Sequence, residues 1–469
     1  MIKFLKKHYF WLIIFALASY FLLKASYFVL HVKFGIPPDE GEHYQQIMNY
    51  FNSSSFFLSH ENLDATYGTL NQSRFFYHMF MGKLLHLNFF GIENYMFLRG
   101  LNVVFSLGYL VMFYKLLKLF FKEKKWLILT TFAIQTNIIM FTFLSASINY
   151  DNLVNLLAIG SIYFVLKHIQ SGEIKSLLIA GICVCLGMLT KISFGPLMVI
   201  LFLILVVHHR KDAMIFFKAI IVFIKKKKRN HIIILGLFIA TLSANVILYS
   251  SNYVQYDAFF PKCHQMYSME ECLEESDNYA IYNVAPQAEF TPMKPYEYFK
   301  TWSNLMLERT FGIFAHQTIQ PEKQAMSTVR TLLAIFFIFF VLQIRKRKKP
   351  LDIAILVALS YTLFLAFEVN YKGYLFNGIY HAGVQGRYIF PVLPLIVMIF
   401  TYYMMALFGK RSRVIVGIVL AIMFIYMAFP SYYFHENRDS FEARIQLMKT
   451  QPTIDKTAVV SLRYLTTLS

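Results

Sequence analysis

The sequence predicts an all-α polytopic membrane protein, a single bundle of about eleven transmembrane helices. Hydrophobic residues make up 57% of the 469 residues and charged residues only 15%, below the roughly 25% that is usual in soluble domains. The apolar residues form runs close to the roughly 20 residues that a helix needs to cross a bilayer. Lys and Arg lie in short clusters between these runs, so the net charge of +19 fits the positive-inside rule better than a nucleic-acid surface.

Eleven apolar runs predict the spans. The first follows a basic N-terminus without a small-residue cleavage pattern, which favours an uncleaved span over a signal peptide. A further run, 213–224, is short and lies between basic clusters, so we expect a helix on the inner leaflet. The predicted spans are 9–30, 96–119, 126–144, 153–166, 176–189, 196–207, 231–250, 328–344, 351–368, 388–408 and 414–430.

The basic clusters place the N-terminus in the cytoplasm and the acid-rich loops on the outer side of the plasma membrane. Residues 1–430 then form the transmembrane domain, with a first outer loop at 32–95, a large outer loop at 251–324 and an extracytoplasmic tail at 431–469. The aromatic stretch 75–90 of the first loop suits an interfacial helix. Cys263 and Cys272 lie in the large outer loop, where a disulfide and two free thiols both remain open.

The stretch "GIPPDEGEHYQQI" is the densest group of ionisable residues in the first outer loop. Its two prolines end the first helix, because proline lacks the N–H that a helix would use. Asp39 then occupies an N-cap position with Glu42 three residues later, so a capping box is one interpretation. Capping leaves Glu40 and His43 unexplained. Adjacent carboxylates at a membrane boundary favour a general base or a bound cation.

Four more candidate residues lie at the outer ends of predicted spans. Asp151 in "NYDN" is either an N-cap or a second functional acid. Lys191 interrupts an apolar run, where an ionisable residue is functional unless it reaches the interface. Gln385 and Arg387 in "GVQGRY" combine close backbone approach with a binder of phosphate oxygens. For Arg99, a membrane anchor and a functional cation are equally open.

This combination of residues favours transfer of a group from a lipid-linked phosphate. The sequence has no P-loop, dinucleotide fingerprint, zinc-protease helix or nucleophile elbow. A carboxylate can take the proton of an acceptor while Lys and Arg stabilise a departing phosphate. Asp39, Glu40 and His43 are also candidate ligands of a divalent metal ion, and the sequence leaves the metal requirement unknown.

The motifs "GIPPDEGEHY", "NYD", "TK" and "GVQGRYIFPVLPL", in this order, resemble the bacterial domain-of-unknown-function family 2142. That family is itself similar to the GT-C superfamily of polyprenyl-phosphate-sugar glycosyltransferases. The resemblance implies a GT-C-like bundle whose first outer loop carries interfacial helices and the catalytic acid. It matches Asp39 to that acid, Asp151 to the second-loop acid, and Lys191 with Arg387 to the phosphate-binding cations. Gly41 and Glu42 depart from the expected pattern and add a charge near the site.

From the residues and the resemblance together, we expect an inverting glycosyltransferase. It would move one sugar from a polyprenyl-phosphate donor to a cell-envelope acceptor on the outer face of the membrane. Asp39 would be the base, with Glu40 assisting it or binding a metal, and Asp151 would orient the acceptor or share that metal. Lys191 and Arg387 would hold the lipid phosphate. Gln385 and Arg99 would also bind the substrate, and His43 would either do the same or bind the metal.

Two alternatives remain. A flippase or transporter of lipid-linked sugars would place ionisable groups near the middle of the bilayer. A polysaccharide polymerase or ligase would depend on the large outer loop.

Overall fold

Helices are the regular elements of the chain in the computed structural model. The structure describes residues 2–58, 61, 63–210, 229–275, 290–312, 323–343 and 349–428. Within these ranges there is no strand, so the all-α prediction is confirmed for the described part of the chain. The inner-leaflet helix expected at 213–224 and the tail at 431–469 lie outside the described residues.

The N-terminal half contains the helices of the first outer loop and of the early spans. They are α1 (Ile2–His31), α2 (Glu40–Phe51), α3 (Ala65–Arg74), α4 (Phe76–Leu85), α5 (Asn94–Phe121), α6 (Lys125–Thr136), α7 (Ile139–Ser145), α8 (Asp151–Ser171), α9 (Ile174–Thr190) and α10 (Gly195–His209).

The C-terminal half contains the rest of the bundle and the helices of the large outer loop. They are α11 (Arg229–Tyr256), α12 (Cys263–Met266), α13 (Met269–Glu275), α14 (Pro295–Phe311), α15 (Lys323–Gln343), α16 (Lys349–Leu363), a π-helix (Phe364–Tyr371), α17 (Lys372–Asn377), α18 (Leu393–Ala406) and α19 (Lys410–Met427).

In the described part of the chain, seven helices are long and apolar enough to cross a membrane, or eight if one bent pair is counted as a span. The predicted count of about eleven is therefore not confirmed. The run 126–144 breaks into α6 and α7, which meet at 64°. α9 and α18 are apolar but shorter, and α19 begins with three basic residues among its first four.

The contacts at the helix ends fix how the chain passes through the bundle. Arg99, early in α5, binds Glu40, whose carboxylate also accepts from the Ile148 amide just before α8. Asp151 at the start of α8 pairs with Lys191, which follows the last residue of α9. The starts of α5 and α8 and the end of α9 therefore lie together, which we call the site end. The chain must return to this end through α6 and α7 combined, and again through α9.

The segment predicted as the first outer loop contains two helices that pack closely side by side. The predicted helix at 75–90 is observed as α4, with one face buried against α2. A Cβ on Gly82 of α4 would lie 2.8 Å from the Ile47 carbonyl oxygen of α2. Only glycine allows the two backbones to approach this closely.

A disulfide in the large outer loop answers the question that the sequence left open. Cys263 and Cys272 are bonded, with their Cα atoms 5.9 Å apart. Both side chains are buried against Ala65 of α3, and the Tyr267 hydroxyl donates to the Leu63 carbonyl at 3.2 Å. The disulfide hairpin therefore holds α3 of the first outer loop in place.

Candidate functional site

Asp39 lies at the site end, directed toward Arg387. α1 ends at His31, six residues before Pro37, so the prolines do not themselves end that helix. A series of turns follows, and Asp39 takes the N-cap position of α2 with a φ of +62°. Asp tolerates this left-handed conformation better than most residues. Its side chain makes no capping hydrogen bond and pairs instead with the Arg387 guanidinium. The N-cap position expected from the sequence is observed, whereas the side-chain capping bond is not.

Arg387 also faces a second carboxylate, which a second cation shares. Its Nε lies 3.3 Å from Asp151 Oδ2, and Lys191 Nζ lies 2.5 Å from Asp151 Oδ1. The order Asp39, Arg387, Asp151 and Lys191 alternates in charge along one line of contacts. Burial lowers the pKa of Lys191, but Asp151 together with Tyr150 and Tyr388 outweighs this effect, so the net pKa is raised and the ammonium keeps its charge.

This group of charges is not internally satisfied. Arg387 is only 4% exposed, yet its Nε and Nη1 atoms are buried without a hydrogen-bond partner. Asp151 Oδ2 is in the same condition, since the 3.3 Å approach of Nε does not have hydrogen-bond geometry. Buried donors without partners are costly and uncommon in folded proteins. Their presence on a guanidinium indicates a place for an anionic ligand.

Two tyrosines that are not among the predicted site residues lie beside the cations. Lys191 Nζ lies 4.5 Å from the ring centre of Tyr150 and 4.6 Å from that of Tyr388. Arg74, at the end of α3, approaches the Tyr150 ring at 6.0 Å. Each tyrosine is the chain neighbour of a predicted site residue, in "NYD" and "GRY". That adjacency was the available signal.

Glu40 and Arg99 form a separate, saturated pair. Arg99 donates to both carboxylate oxygens, from Nε at 2.8 Å and Nη2 at 2.7 Å, and neither side chain is exposed. The Glu40 oxygens also accept from the backbone amides of Gly35 and Ile148. Arg99 further bonds the Val32 carbonyl at the end of the first span. The pair connects the end of α1, the start of α2, α5 and the segment before α8. Its contacts indicate that it stabilises the fold.

His43 lies inside the first outer loop, bonded to a second histidine. Its Nδ1 is 2.9 Å from His78 Nε2, and its ring meets the Tyr150 ring edge to face at 4.4 Å. Burial, with the Arg74 charge, lowers the pKa of His78 to about 3. Burial and the neighbouring His78 also lower the pKa of His43 well below its usual value. Both rings are therefore neutral at physiological pH, and one donates a hydrogen bond to the other.

The three candidate metal ligands do not converge. Asp39 turns to Arg387, Glu40 to Arg99, and His43 to His78. Across the described ranges, no group of three or more His, Cys, Asp or Glu side chains comes together as a metal site. These residues do not fit a shared divalent ion, so no step of the chemistry is assigned to one.

Gln385 is the N-cap residue of a short 3-10 helix, Gly386–Ile389, which carries Arg387. It is half-buried, and its carbonyl accepts from the Tyr388 amide. The structure therefore places Gln385 two residues before Arg387 in the chain, and its role in substrate binding stays a prediction.

An apolar cavity of about 130 Å³ is lined in part by Ile389, two residues after Arg387 in the chain. It lies between α6, α14, α15 and α18, and Thr310, which contributes a hydroxyl to its wall, already bonds the Met306 carbonyl. Its apolar lining includes Ile138, Met306, Phe311, Leu332, Ile389 and Leu393. The 3-10 helix that carries Arg387 thus also contributes Ile389 to the wall of the cavity, although Arg387 itself does not line it.

Comparison with known proteins agrees with the resemblance drawn from the motifs. No curated protein matches the chain. The model of DUF2142, described as a predicted membrane protein, matches residues 94–396. That range is more than half of the chain and includes Asp151, Lys191 and Arg387, while Asp39 precedes it. The chain therefore belongs to the DUF2142 family of predicted membrane proteins.

Proposed function

We propose that this protein is a membrane-embedded glycosyltransferase that takes a single sugar from a polyprenyl-phosphate donor. The observation that carries the proposal is the buried Arg387 guanidinium, which has two donor atoms without hydrogen-bond partners. Ile389, two residues later in the chain, lines an apolar cavity. A ligand that matches both features has an anionic head and an apolar tail.

The cations suit a phosphate head. A guanidinium presents several N–H groups in a fixed plane and binds phosphate oxygens through pairs of them. Lys191 adds a second positive charge on the other side of Asp151. In this interpretation the phosphate accepts from the unpartnered Arg387 donors, and Asp151 holds both cations in place.

The cavity suits an isoprenoid tail. Its lining is mostly apolar and includes Ile389 and Leu393, which follow Arg387 in the chain. Apolar surface of this kind gains about 25 cal/mol for each Å² that is removed from water. In this proposal the isoprenoid tail therefore occupies the cavity while the phosphate binds Arg387.

Asp39 is the residue best placed to act as the base. About a third of its side chain is exposed, whereas Asp151 is buried between two cations. Asp39 takes the proton from an acceptor hydroxyl as that oxygen forms a bond to the anomeric carbon. The bond from this carbon to the phosphate oxygen breaks, and polyprenyl phosphate leaves with its charge stabilised by Lys191 and Arg387. The sugar is inverted by this single displacement.

The disulfide supports an outward-facing site in the plasma membrane. Disulfides persist in oxidising compartments, and the Cys263–Cys272 hairpin packs on the first outer loop that carries Asp39. We infer that the acceptor is a glycan or another molecule of the cell envelope, with the N-terminus in the cytoplasm.

The test is transfer of radiolabelled sugar from synthetic polyprenyl-phosphate sugars to envelope extracts by the purified protein. We expect Asp39→Asn to lose roughly 10²- to 10⁴-fold in transfer rate while still binding the lipid. Glu93→Gln, which changes an exposed acid before α5, is the matched control and should keep its rate. Transfer that is absent in the wild type, or unchanged in Asp39→Asn, contradicts the proposal.

One observation favours a second candidate, a flippase for lipid-linked sugars. Lys24, buried within the first span, donates to the Thr136 carbonyl at 2.9 Å and to Asn137 Oδ1 at 2.7 Å. These acceptors lie at the break between α6 and α7. Transporters often combine broken spans with ionisable residues at membrane depth. Movement of labelled lipid across vesicles, lost in Lys24→Met and retained in Asp39→Asn, would support this candidate.

A further inference from the structure

The turn that carries Arg387, residues 379–388, is held by α14, a helix of the large outer loop. Arg309, which is only 3% exposed, donates from Nη1 to the His381 carbonyl at 3.1 Å and also to the Val384 carbonyl. The guanidinium of Arg309 therefore bonds the main chain of the turn on both sides of Gly383. No pattern in the sequence indicated this contact, since the two segments are 72 residues apart.

A second chain of hydrogen bonds reaches the same turn. Trp302 of α14 donates from its indole to Asn370 Oδ1 at 2.9 Å, and Asn370 donates to the Gly383 carbonyl at 3.0 Å. Asn370 lies in the π-helix, an element that often occurs at functional sites. Three carbonyl groups of the turn are thus bonded to α14, directly or through one amide.

The backbone itself is in close contact at the residue before Arg387. A Cβ added to Gly386 would lie 2.2 Å from the Arg309 carbonyl oxygen. No side chain fits there, so Gly386 lets the turn rest directly on the end of α14. A shift of Arg309 would therefore be transmitted to Arg387.

We propose that Arg309 is a positioning residue, which fixes the Arg387 guanidinium between Asp39 and Asp151. The proposal deepens the proposed function and, for its effect on lipid binding, rests on it. Met306 and Phe311 of the same helix line the apolar cavity. α14 then aligns the head site with the tail site, and the described part of the large outer loop belongs to the donor site.

The chemistry requires such a support. Arg387 is bound to carboxylates from two different segments, and a displacement of about 1 Å can reduce the efficiency of a site by as much as about a hundredfold. Charge-assisted bonds from a buried guanidinium to main-chain carbonyls hold a turn more firmly than bonds between neutral groups. Functional groups are most accurately placed when the side chains behind them are themselves fixed.

Binding of a fluorescent polyprenyl phosphate to the full-length protein in nanodiscs tests this coupling. We expect Arg309→Met to weaken binding about tenfold, and Arg309→Lys, which keeps one charged donor, to recover part of the loss. In an Arg387→Gln background, Arg309→Met should change the affinity by less than about twofold, because both residues then act through the same group. Additive losses would overturn the proposal.

Hydrogen exchange of residues 379–388, without lipid, separates this inference from the proposed function. We expect faster exchange in Arg309→Met and no change in Arg330→Gln, which removes a guanidinium from an exposed pair with Glu308 beside Arg309. Unchanged exchange in Arg309→Met would also overturn the proposal. If the wild type does not bind the probe at all, the proposed function fails, and the exchange data alone decide whether Arg309 holds the turn.

Discussion

Asp39 and Glu40 are neighbours in the chain, but their carboxylates serve different purposes. Glu40 accepts four hydrogen bonds, two from Arg99 and two from backbone amides, and it is not accessible to a ligand. Asp39 is partly exposed and pairs with Arg387, whose Nε and Nη1 have no hydrogen-bond partner. The residue that holds the site together and the residue proposed to act in it are therefore adjacent.

This difference predicts unequal effects on stability. Glu40→Gln should lower the free energy of unfolding by about 3–5 kcal/mol, because it leaves the Arg99 charge buried without its counter-ion. Asp39→Asn should lower it much less, since Arg387 keeps Asp151 and Asp39 is partly in water. Thermal unfolding of the two variants in the same detergent measures the contrast. Equal losses would mean that Asp39 is as structural as Glu40.

At the scale of the helices, the first outer loop depends on close contact between α2 and α4. The His43–His78 bond and the approach of Gly82 to Ile47 and Tyr50 show that the two helices run in the same direction. The packing leaves no room for a side chain at Gly82. Gly100 in α5 is also helical, yet a Cβ there would meet nothing within 4 Å.

These two glycines give a matched pair of substitutions. Gly82→Ala should destabilise the protein by about 1–3 kcal/mol, because the added methyl group pushes α4 away from the α2 backbone. Gly100→Ala should stabilise it by up to about 1 kcal/mol through the higher helix propensity of alanine. Thermal unfolding compares both with the wild type. A stabilising effect of Gly82→Ala would show that the helices are not in this contact.

For the molecule as a whole, the sequence could predict which ionisable residues lie close together, but not every ion pair that they form. Asp39, Asp151, Lys191 and Arg387 are each an ionisable group at the boundary of an apolar run, and the structure brings all four together. Arg99 is another ionisable group at such a boundary, and the structure pairs it with Glu40. Boundary position indicates the end of the bundle at which a side chain lies, whereas partner choice depends on three-dimensional packing.

The count of spans was harder to predict for a similar reason. Hydropathy locates apolar runs, but it does not show where a helix bends inside one. The break between α6 and α7 falls at Asn137 and Ile138, with neither proline nor glycine to mark it. Lys24 donates two hydrogen bonds at the end of α6, to the Thr136 carbonyl and to Asn137 Oδ1. In the sequence it is a charged residue within the first apolar run. An ionisable residue at that depth was one sign of the break, and the polar residues 135–137 inside the run 126–144 were another.

The path of the chain makes a prediction about the two ends of the bundle. α5 starts at the site end and has 28 residues, so its far end lies about 40 Å away at 1.5 Å per residue. Lys122 and its basic neighbours follow that end. The positive-inside rule then places the far end in the cytoplasm and Asp39 outside.

Thiol labelling of intact cells with a membrane-impermeant reagent checks this orientation. Ser55→Cys, an exposed position in the first outer loop, should react in intact cells, and Lys122→Cys should react only after permeabilisation. The native Cys183 and Cys185 are replaced by alanine in both variants to remove background. The reverse pattern would put Asp39 in the cytoplasm. An envelope acceptor would then be out of reach, and the reducing compartment would leave the Cys263–Cys272 bond without a reason to persist.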